Sequence, residues 1–308
     1  MSEIKKITVI GATGNLGAPV VKFLLADGFE VKIIVRNTRK AKNIFGDHPH
    51  LTLEEADLSN VPSLKKALSD TAYLYLNLAT QTTDIRAPFC ADREGVANIL
   101  EAVDRSRIKQ ILVISGLGAF SESHLKGATT FVPNAIRMQG HQLIKASGIP
   151  YTLLHCSWFA DSFVFYRRKG SYSVIGDAKN PIYFTNCYDF TRHLVNSIGN
   201  PDALNREFPI QGITGLPHPV AAKTFLNEFD EKSKVSVLPH GLLKILAFFN
   251  KDMKFVKHMS EYFSAYSEPY LAQKHDTYNL LGKPTLSLTE YAQKLKKEGI
   301  YDYLDQTS

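Results

Sequence analysis

The stretch VIGATGNLGAPVVKFLLADGFEVKIIVRN, residues 9–37, decides the fold. It completes the apolar, β-branched run KKITVI at 5–10, and its glycine-rich turn leads into a segment with helical spacing of apolar residues. It then closes on a second run of strand character, EVKIIVRN. The pattern therefore predicts a strand, a tight turn, a helix and a second strand.

The alternation of strand and helix patterns continues to about residue 160. Further strands are predicted at LTLEEADL, AYLYLNLAT, IKQILVISGLG and IPYTLLHCSWF, with helices at VPSLKKALSD, REGVANILEAVDRSR and NAIRMQGHQLIKASG between them. Strands joined by helical crossovers form parallel sheets, because the β-α-β unit is right-handed. The sequence predicts an α/β fold with a Rossmann-type parallel sheet, helices on both faces and a smaller, mostly helical C-terminal lobe.

The clean alternation ends after this point. YRRKGSYSVIGDAKNP is predicted as loop, CYDFTRHLVNSIGN as a helix, REFPIQGI as a strand and the remainder as mostly helical. We expect a nucleotide-binding domain at 1–158 with a return segment near 182–212. Residues 159–181 and 213–308 would form a smaller lobe for a substrate or partner, over the sheet end where ligands bind in such folds.

Composition narrows the class of protein. The 308 residues are 44% apolar and 21% charged, and no segment approaches the roughly 18 apolar residues that span a bilayer. The N-terminus runs directly into a strand, which favours a cytoplasmic protein without a membrane partner. The net charge of +6 is dispersed, so no nucleic-acid partner is expected. Three cysteines without C-x-x-C spacing argue against disulfides or a zinc site, and no metal is expected.

Gly11, Gly14 and Gly17 form G-x-x-G-x-x-G between the first strand and helix. A turn this tight disfavours a Cβ, and the helix N-terminus offers N–H groups and a positive dipole to a diphosphate. The alternative is an ordinary glycine-rich connection. The β-α-β context favours a dinucleotide site.

The second strand ends in Arg36 and Asn37, followed by Arg39 and Lys40, where an NAD-binding protein usually has Asp or Glu. A guanidinium suits a 2′-phosphate, and no carboxylate is expected nearby to repel it. NADP(H) is therefore favoured over NAD(H), and a solvated basic turn is the alternative.

With the glycines, Arg36, ADLSN and NLAT in place, the chain resembles the NmrA-like, atypical branch of the short-chain dehydrogenase/reductase superfamily. VANILEAVDRSRIKQILVISGLGA and IKASGIPYTLLHCSWFADSF extend this resemblance to roughly residues 4–165. The resemblance implies a set of cofactor contacts. They are Gly11, Thr13, Gly14, Asn15 and Leu16 at the diphosphate, Arg36, Asn37 and Arg39 at the adenosine phosphate, Asp57 and Leu58 at the adenine, and Leu78, Ala79 and Thr80 at the nicotinamide-side ribose.

The chain departs from the family at the Tyr-x-x-x-Lys pair. Aligning KASG places Arg137 at the Lys position and Pro133 at the Tyr position, which removes the usual proton donor. Arg137 can still bind a ribose hydroxyl or a phosphate, but a guanidinium does not act as an acid or base.

His141, His155 and Ser115 are the remaining candidates for catalysis, each with an ordinary structural role as the alternative. The sequence thus favours an NADPH-dependent reductase of a small electrophilic acceptor such as a quinone. The second hypothesis is a non-catalytic NADP(H) sensor that acts through a protein partner, as a monomer or homodimer.

Overall fold

The computed structural model describes residues 5–120, 131–176, 178–239, 251–265 and 267–307. Its main sheet has seven strands, all parallel, in the order β3-β2-β1-β4-β5-β6-β9. The strands are β1 Lys6–Ile10, β2 Glu30–Val35, β3 Leu51–Glu55, β4 Tyr73–Leu76, β5 Gln110–Gly116, β6 Tyr151–Cys156 and β9 Arg206–Ile210, with β7 Ser171–Ile175 and β8 Pro181–Ile182 between the last two. This order confirms the predicted Rossmann-type fold.

Helices cover both faces of the sheet. The helices up to the end of the sheet are α1 Gly17–Ala26, α2 Thr38–Phe45, α3 Val61–Leu68, α4 Val96–Ala102, α5 Val132–Ala146, α6 Ser162–Phe165 and α7 Cys187–Ser197. One core cluster joins α1 and α7 to one face, and a second joins α3, α4 and α5 to the other. The strands carry apolar side chains on both faces for this reason.

The C-terminal lobe is mostly helical, as predicted, and it also contains short strands that the sequence analysis did not predict. After β9 it contains β10 Leu216–Pro217, α8 His218–Phe229, β11 Lys234–Leu238, α9 Lys251–Ala265, α10 Thr277–Leu281 and α11 Leu288–Glu298. Strand β11 pairs in parallel with β7, and β10 pairs with β8. The prediction of a loop through SYSVI, which is β7, was therefore wrong, and β11 was missed. The proposed domain boundaries stay a prediction.

A buried carboxylate ties the C-terminal end of the chain to the sheet. Asp161 follows β6 and is fully buried, and its Oδ1 accepts hydrogen bonds from Tyr291 Oη at 2.5 Å and Tyr301 Oη at 2.7 Å. Its Oδ2 accepts from the backbone N–H of Cys187 at 3.0 Å. Burial raises the pKa of Asp161, and these donors oppose that shift. One side chain thus fastens α7, α11 and the turn after α11.

Candidate functional site

The turn after β1 is shaped by steric limits at two of its three glycines. Gly11 has a φ of +90°, and a Cβ there would lie 2.0 Å from the carbonyl oxygen of Asn77. A Cβ on Gly17 would lie 2.1 Å from the carbonyl oxygen of Gly11. Gly14 differs, because its Cβ would meet only that same oxygen, at 3.3 Å. The chain itself thus requires Gly11 and Gly17, while a Cβ at Gly14 would make one tight contact and meet no other atom within 4 Å.

Helix α1 begins without a capping side chain. Its N-cap is Leu16, and none of the described residues supplies an acceptor to the backbone N–H groups of Asn15, Leu16 and Gly17. Thr13, Gly14 and Asn15 are at least partly exposed beside these donors. Unsatisfied N–H groups at a helix N-terminus bind phosphate oxygens well. The turn therefore fits a nucleotide diphosphate.

Arg36 directly follows β2, and its exposed side chain makes no ion pair within the described parts of the chain. It lies within electrostatic reach of Asp57, so the expectation that no carboxylate stands near it was wrong. Ser59 binds the Asp57 carboxylate through both its hydroxyl and its N–H, and these bonds lower the pKa of Asp57; Arg36 adds a smaller effect. The guanidinium remains accessible to a ligand.

The other residues expected at the adenosine side have mixed roles. The Asn37 side chain caps α2 by accepting from the N–H of Lys40 at 3.0 Å, so its carbonyl oxygen is already engaged. Arg39 is exposed on the first turn of α2. Leu58 is half-buried and packs beside Gly95, and its carbonyl accepts from Asn98. All three follow β2 or β3 at the carboxyl edge of the sheet.

Leu78, Ala79 and Thr80 follow β4 at the same edge, and Thr80 leads into a polar cluster. The Thr80 hydroxyl accepts from the N–H of Asp92 at 3.4 Å, and the buried Asp92 carboxylate lies 3.5 Å from Arg137 Nε. The second carboxylate oxygen of Asp92 has no hydrogen-bond partner among the described residues. Asp92 thus holds Arg137 close to Thr80, and a contact between Arg137 and the cofactor stays a prediction.

Two further members of this polar cluster, Asn134 and Tyr262, were not predicted from the sequence. Asn134 accepts a hydrogen bond from Arg137 at 3.2 Å and also bonds the hydroxyl of Tyr262 on α9. The spacing of Asn134, one turn before Arg137, is a signal for the first of these contacts. Nothing local points to Tyr262, because it lies more than 100 residues further along the chain.

The three candidates for catalysis are buried. The His155 side chain is fully enclosed and its Nε2 lies 2.9 Å from Glu207 Oε2, while His141 packs edge-on against the His155 ring at 5.3 Å. Burial lowers the pKa of both histidines. Ser115 lies beside His155 in the sheet, and its buried hydroxyl finds no hydrogen-bond partner in the described part of the chain. A catalytic role for these residues stays a prediction.

A cavity of about 630 Å³ opens beside the segment that follows Thr80. Aromatic and aliphatic side chains supply most of its wall, and α9 lies along one side. Its lining includes Gln81, Thr82, Thr83, Trp158, Tyr166, Tyr172, Val174, Ile182, His218, Phe255 and Met259. This volume suits a small organic molecule.

A second buried acid lies where three segments meet. The Glu268 carboxylate accepts from Ser157 Oγ at 2.8 Å and from Gln211 Nε2 at 2.6 Å, and the N–H of Tyr183 is 3.4 Å away. Burial raises its pKa to about 7, and these donors oppose the shift. Glu268 is therefore half-protonated near neutral pH.

This pKa predicts a pH-dependent stability. Because the pKa of Glu268 in the folded protein lies above the ordinary value of 4.5, Glu268 takes up a proton on folding at pH values between 4.5 and about 7. The contribution of Glu268 is greatest below pH 4.5 and falls as the pH rises to 7. Between pH 5 and pH 8 we expect the wild type to lose about 2 to 3 kcal/mol of unfolding free energy relative to Glu268→Gln. Urea denaturation measures this, with Glu30→Gln as the exposed control; parallel pH profiles for Glu268→Gln and the wild type would contradict it.

The described residues hold neither a metal-binding group nor a spanning helix. No three His, Cys, Asp or Glu side chains among them are placed to bind a metal ion. Within the same ranges, no helix is both long and apolar enough to cross a bilayer.

Residues 11–182 match the NAD(P)H-binding family, and this span begins at the glycine turn and covers more than half of the chain. The chain belongs to this family. The match confirms the resemblance to NmrA-like, atypical short-chain dehydrogenases/reductases. As a member of this family, the protein binds a pyridine nucleotide.

The known proteins to which this chain is similar have different roles. An uncharacterised chloroplastic protein of Arabidopsis thaliana is 32% identical over 49% of this chain and 58% of its own length. Photosystem II assembly factor Ycf39 of Cyanophora paradoxa is 28% identical over 67% of this chain and 63% of its own length. The NADPH-dependent quinone oxidoreductase of Escherichia coli, in complex with NADPH, has a TM-score of 0.68 at 20% identity, covering 94% of this chain and 99% of that one. The last likeness shows the fold alone.

Proposed function

We propose that the protein is an NADPH-dependent reductase of a small, flat, electrophilic acceptor such as a quinone. One observation carries the proposal: a cavity of about 630 Å³ continues from the strand end expected to lie under the nicotinamide. Its lining begins at Gln81, directly after Thr80. A molecule in this cavity would lie next to the reactive end of a bound nucleotide.

The side chains present suit binding and orientation. The N–H groups of Asn15, Leu16 and Gly17 would hold the diphosphate, and Arg36 would bind the 2′-phosphate. Arg137, fixed by Asp92, would bind the ribose. NADPH, when bound, supplies a hydride, and the apolar cavity wall would exclude water and stack the acceptor.

The same residues account for the choice of acceptor. Pro133 stands where the usual tyrosine would be, and Arg137 does not release its proton at working pH. A quinone needs no strong acid from the protein, because the reduced form takes its proton from water. The E. coli oxidoreductase of similar fold is described as acting on quinones, which agrees with this proposal.

The test is a titration of the purified protein with NADPH and NADP⁺, followed by NADPH oxidation at 340 nm with a panel of quinones. We expect micromolar or tighter NADPH binding and turnover of at least one naphthoquinone. Binding without turnover of any acceptor would favour the alternative, an NADP(H) sensor acting through a protein partner. The assembly-factor relative and the missing Tyr-x-x-x-Lys pair favour that alternative.

We expect Arg36→Ala to raise the Kd for NADPH by about 10- to 100-fold and to leave that for NADH unchanged, since hydrogen bonds to charged groups contribute roughly 1.5 to 3 kcal/mol. Lys42→Ala, an equal charge change further along α2, is the matched control. Calorimetry of both variants with both nucleotides measures the effect. An equal loss of NADPH affinity in the two variants would mean that Arg36 acts through its general positive charge and does not bind the phosphate directly.

A further inference from the structure

Four side chains form a connected chain of hydrogen bonds at the cavity wall. Trp158 Nε1 donates to Ser162 Oγ at 2.5 Å, and Ser162 bonds the hydroxyl of Tyr172. The Tyr172 hydroxyl lies 3.0 Å from His218 Nε2. Trp158, Tyr172 and His218 all line the cavity, so this chain ends at the space where an acceptor would bind.

The chemistry of the first member is compatible with one direction along the chain. An indole N–H only donates, so Ser162 Oγ accepts from Trp158 and its own proton is left for a second hydrogen bond, to Tyr172. When Ser162 donates to Tyr172, the Tyr172 proton is left for His218 Nε2. A neutral imidazole that accepts at Nε2 carries its proton on Nδ1.

The surroundings keep His218 neutral and leave Nδ1 available. Burial lowers the pKa of His218 to about 4, and its position at the first turn of α8 also disfavours a positive charge. The rings of Phe163, Phe184 and Trp158 lie 5.5 to 5.7 Å from the imidazole. Among the described residues no side chain or backbone group bonds His218 Nδ1.

We propose that His218 is the acceptor-binding residue of this cavity: its Nδ1–H donates a hydrogen bond to a carbonyl oxygen of a flat aromatic substrate. Tyr172 is a positioning residue that fixes the tautomer. The inference rests on the proposed function and names its substrate class, aromatic carbonyl compounds of the quinone type. Aromatic hydrocarbons of the same shape would lose this contact.

The redox step balances without a proton from His218. The acceptor gains one hydride with its electron pair from NADPH, which becomes NADP⁺, and the resulting oxyanion takes one proton from water to give the hydroquinone. The His218 hydrogen bond strengthens as negative charge develops on the oxygen. His218 therefore acts by polarising the carbonyl.

The tautomer is tested first, by long-range proton–nitrogen NMR of the ¹⁵N-histidine-labelled protein. His218→Asn assigns the signal by its loss. We expect the pattern of an Nδ1–H imidazole in the wild type and a shift toward the Nε2–H form in Tyr172→Phe. An Nε2–H pattern in the wild type would overturn the inference.

Binding is tested by equilibrium dialysis with 2,3-dimethyl-1,4-naphthoquinone, whose blocked ring carbons do not add thiols, and with 2,3-dimethylnaphthalene. We expect His218→Phe, whose ring suits the aromatic surroundings, to raise the Kd for the quinone about five- to tenfold and to leave that for the hydrocarbon unchanged. His218→Asn places an amide near the Nδ1 position and should recover part of the loss. Ser173→Ala, a hydroxyl in the same cavity that pairs with Ser236, is the matched control.

The outcomes separate the two proposals. Quinone reduction by the wild type with unchanged quinone affinity in His218→Phe would overturn the role of His218 and leave the reductase standing. A wild type that neither binds nor reduces any quinone would overturn both. Quinone reduction by the wild type, together with a loss of quinone affinity in a His218→Phe variant whose thermal unfolding is near that of the wild type, would support both. Tyr172→Phe/His218→Phe, which removes both partners of the buried hydrogen bond, keeps the test usable where the single variant folds poorly.

Discussion

Gly17→Ala is expected to destabilise the protein by about 3 kcal/mol, because its new methyl group would lie 2.1 Å from the carbonyl oxygen of Gly11. Gly14→Ala, with one contact at 3.3 Å, should cost less than about 1 kcal/mol. Among variants that fold, Gly14→Ala should weaken NADPH binding more than Gly17→Ala does. Gly14→Ala should raise the Kd at least tenfold, since its methyl group enters the space assigned to the diphosphate.

Urea denaturation and NADPH calorimetry on the two variants measure both effects. The pair is matched, because each variant adds one methyl group to the same turn. Equal destabilisation by the two changes would contradict the steric account of Gly17, and unchanged NADPH affinity in Gly14→Ala would remove the turn from the binding site.

Asp161→Ala is expected to lower the unfolding free energy by about 3 to 5 kcal/mol. The change leaves the hydroxyls of Tyr291 and Tyr301 and the N–H of Cys187 buried without their acceptor. Asp161→Asn keeps one carbonyl oxygen and should recover part of the loss.

The measurement is again urea denaturation, with limited proteolysis to locate the weakened region. We expect early cleavage after α11, where Tyr301 is released from the sheet. As a control, Tyr303→Phe changes a neighbouring partly buried phenol without touching Asp161. Equal stability of Asp161→Ala and the wild type would mean that the free-energy cost of burying the carboxylate equals the stabilisation from its three hydrogen bonds.

The nucleotide half was predictable because its signals are local. The strand, the glycine turn and α1 lie within 30 residues, and each later strand carries its own apolar run. Even the Asn37 cap is local, with its acceptor three residues from the donor. The sequence predicted that Arg36 closes the second strand, and in the structure it follows β2 by one residue. Asp57, which follows the next strand, lies within electrostatic reach of Arg36, and sequence spacing does not show that proximity.

The acceptor side was not predictable, since its contacts join distant segments. Strand β7 is short and pairs with β11, more than 50 residues later, so SYSVI alone resembles a loop. Tyr172 and His218 meet only because β7 and the start of α8 are brought together by that pairing. Their hydrogen bond has no counterpart in the periodicity or the motifs of the sequence.

The position of β9 at the sheet edge affects how the protein is made. Strand β6 ends at Cys156, and its edge partner begins only at Arg206, about 50 residues later. At a translation rate of roughly 5 to 20 residues per second, this delay lasts about 3 to 10 s. During that interval the nascent chain presents an unpaired, apolar β6 edge of the kind that recruits foreign strands. Newly synthesised copies should thus depend on chaperones more than the finished sheet suggests.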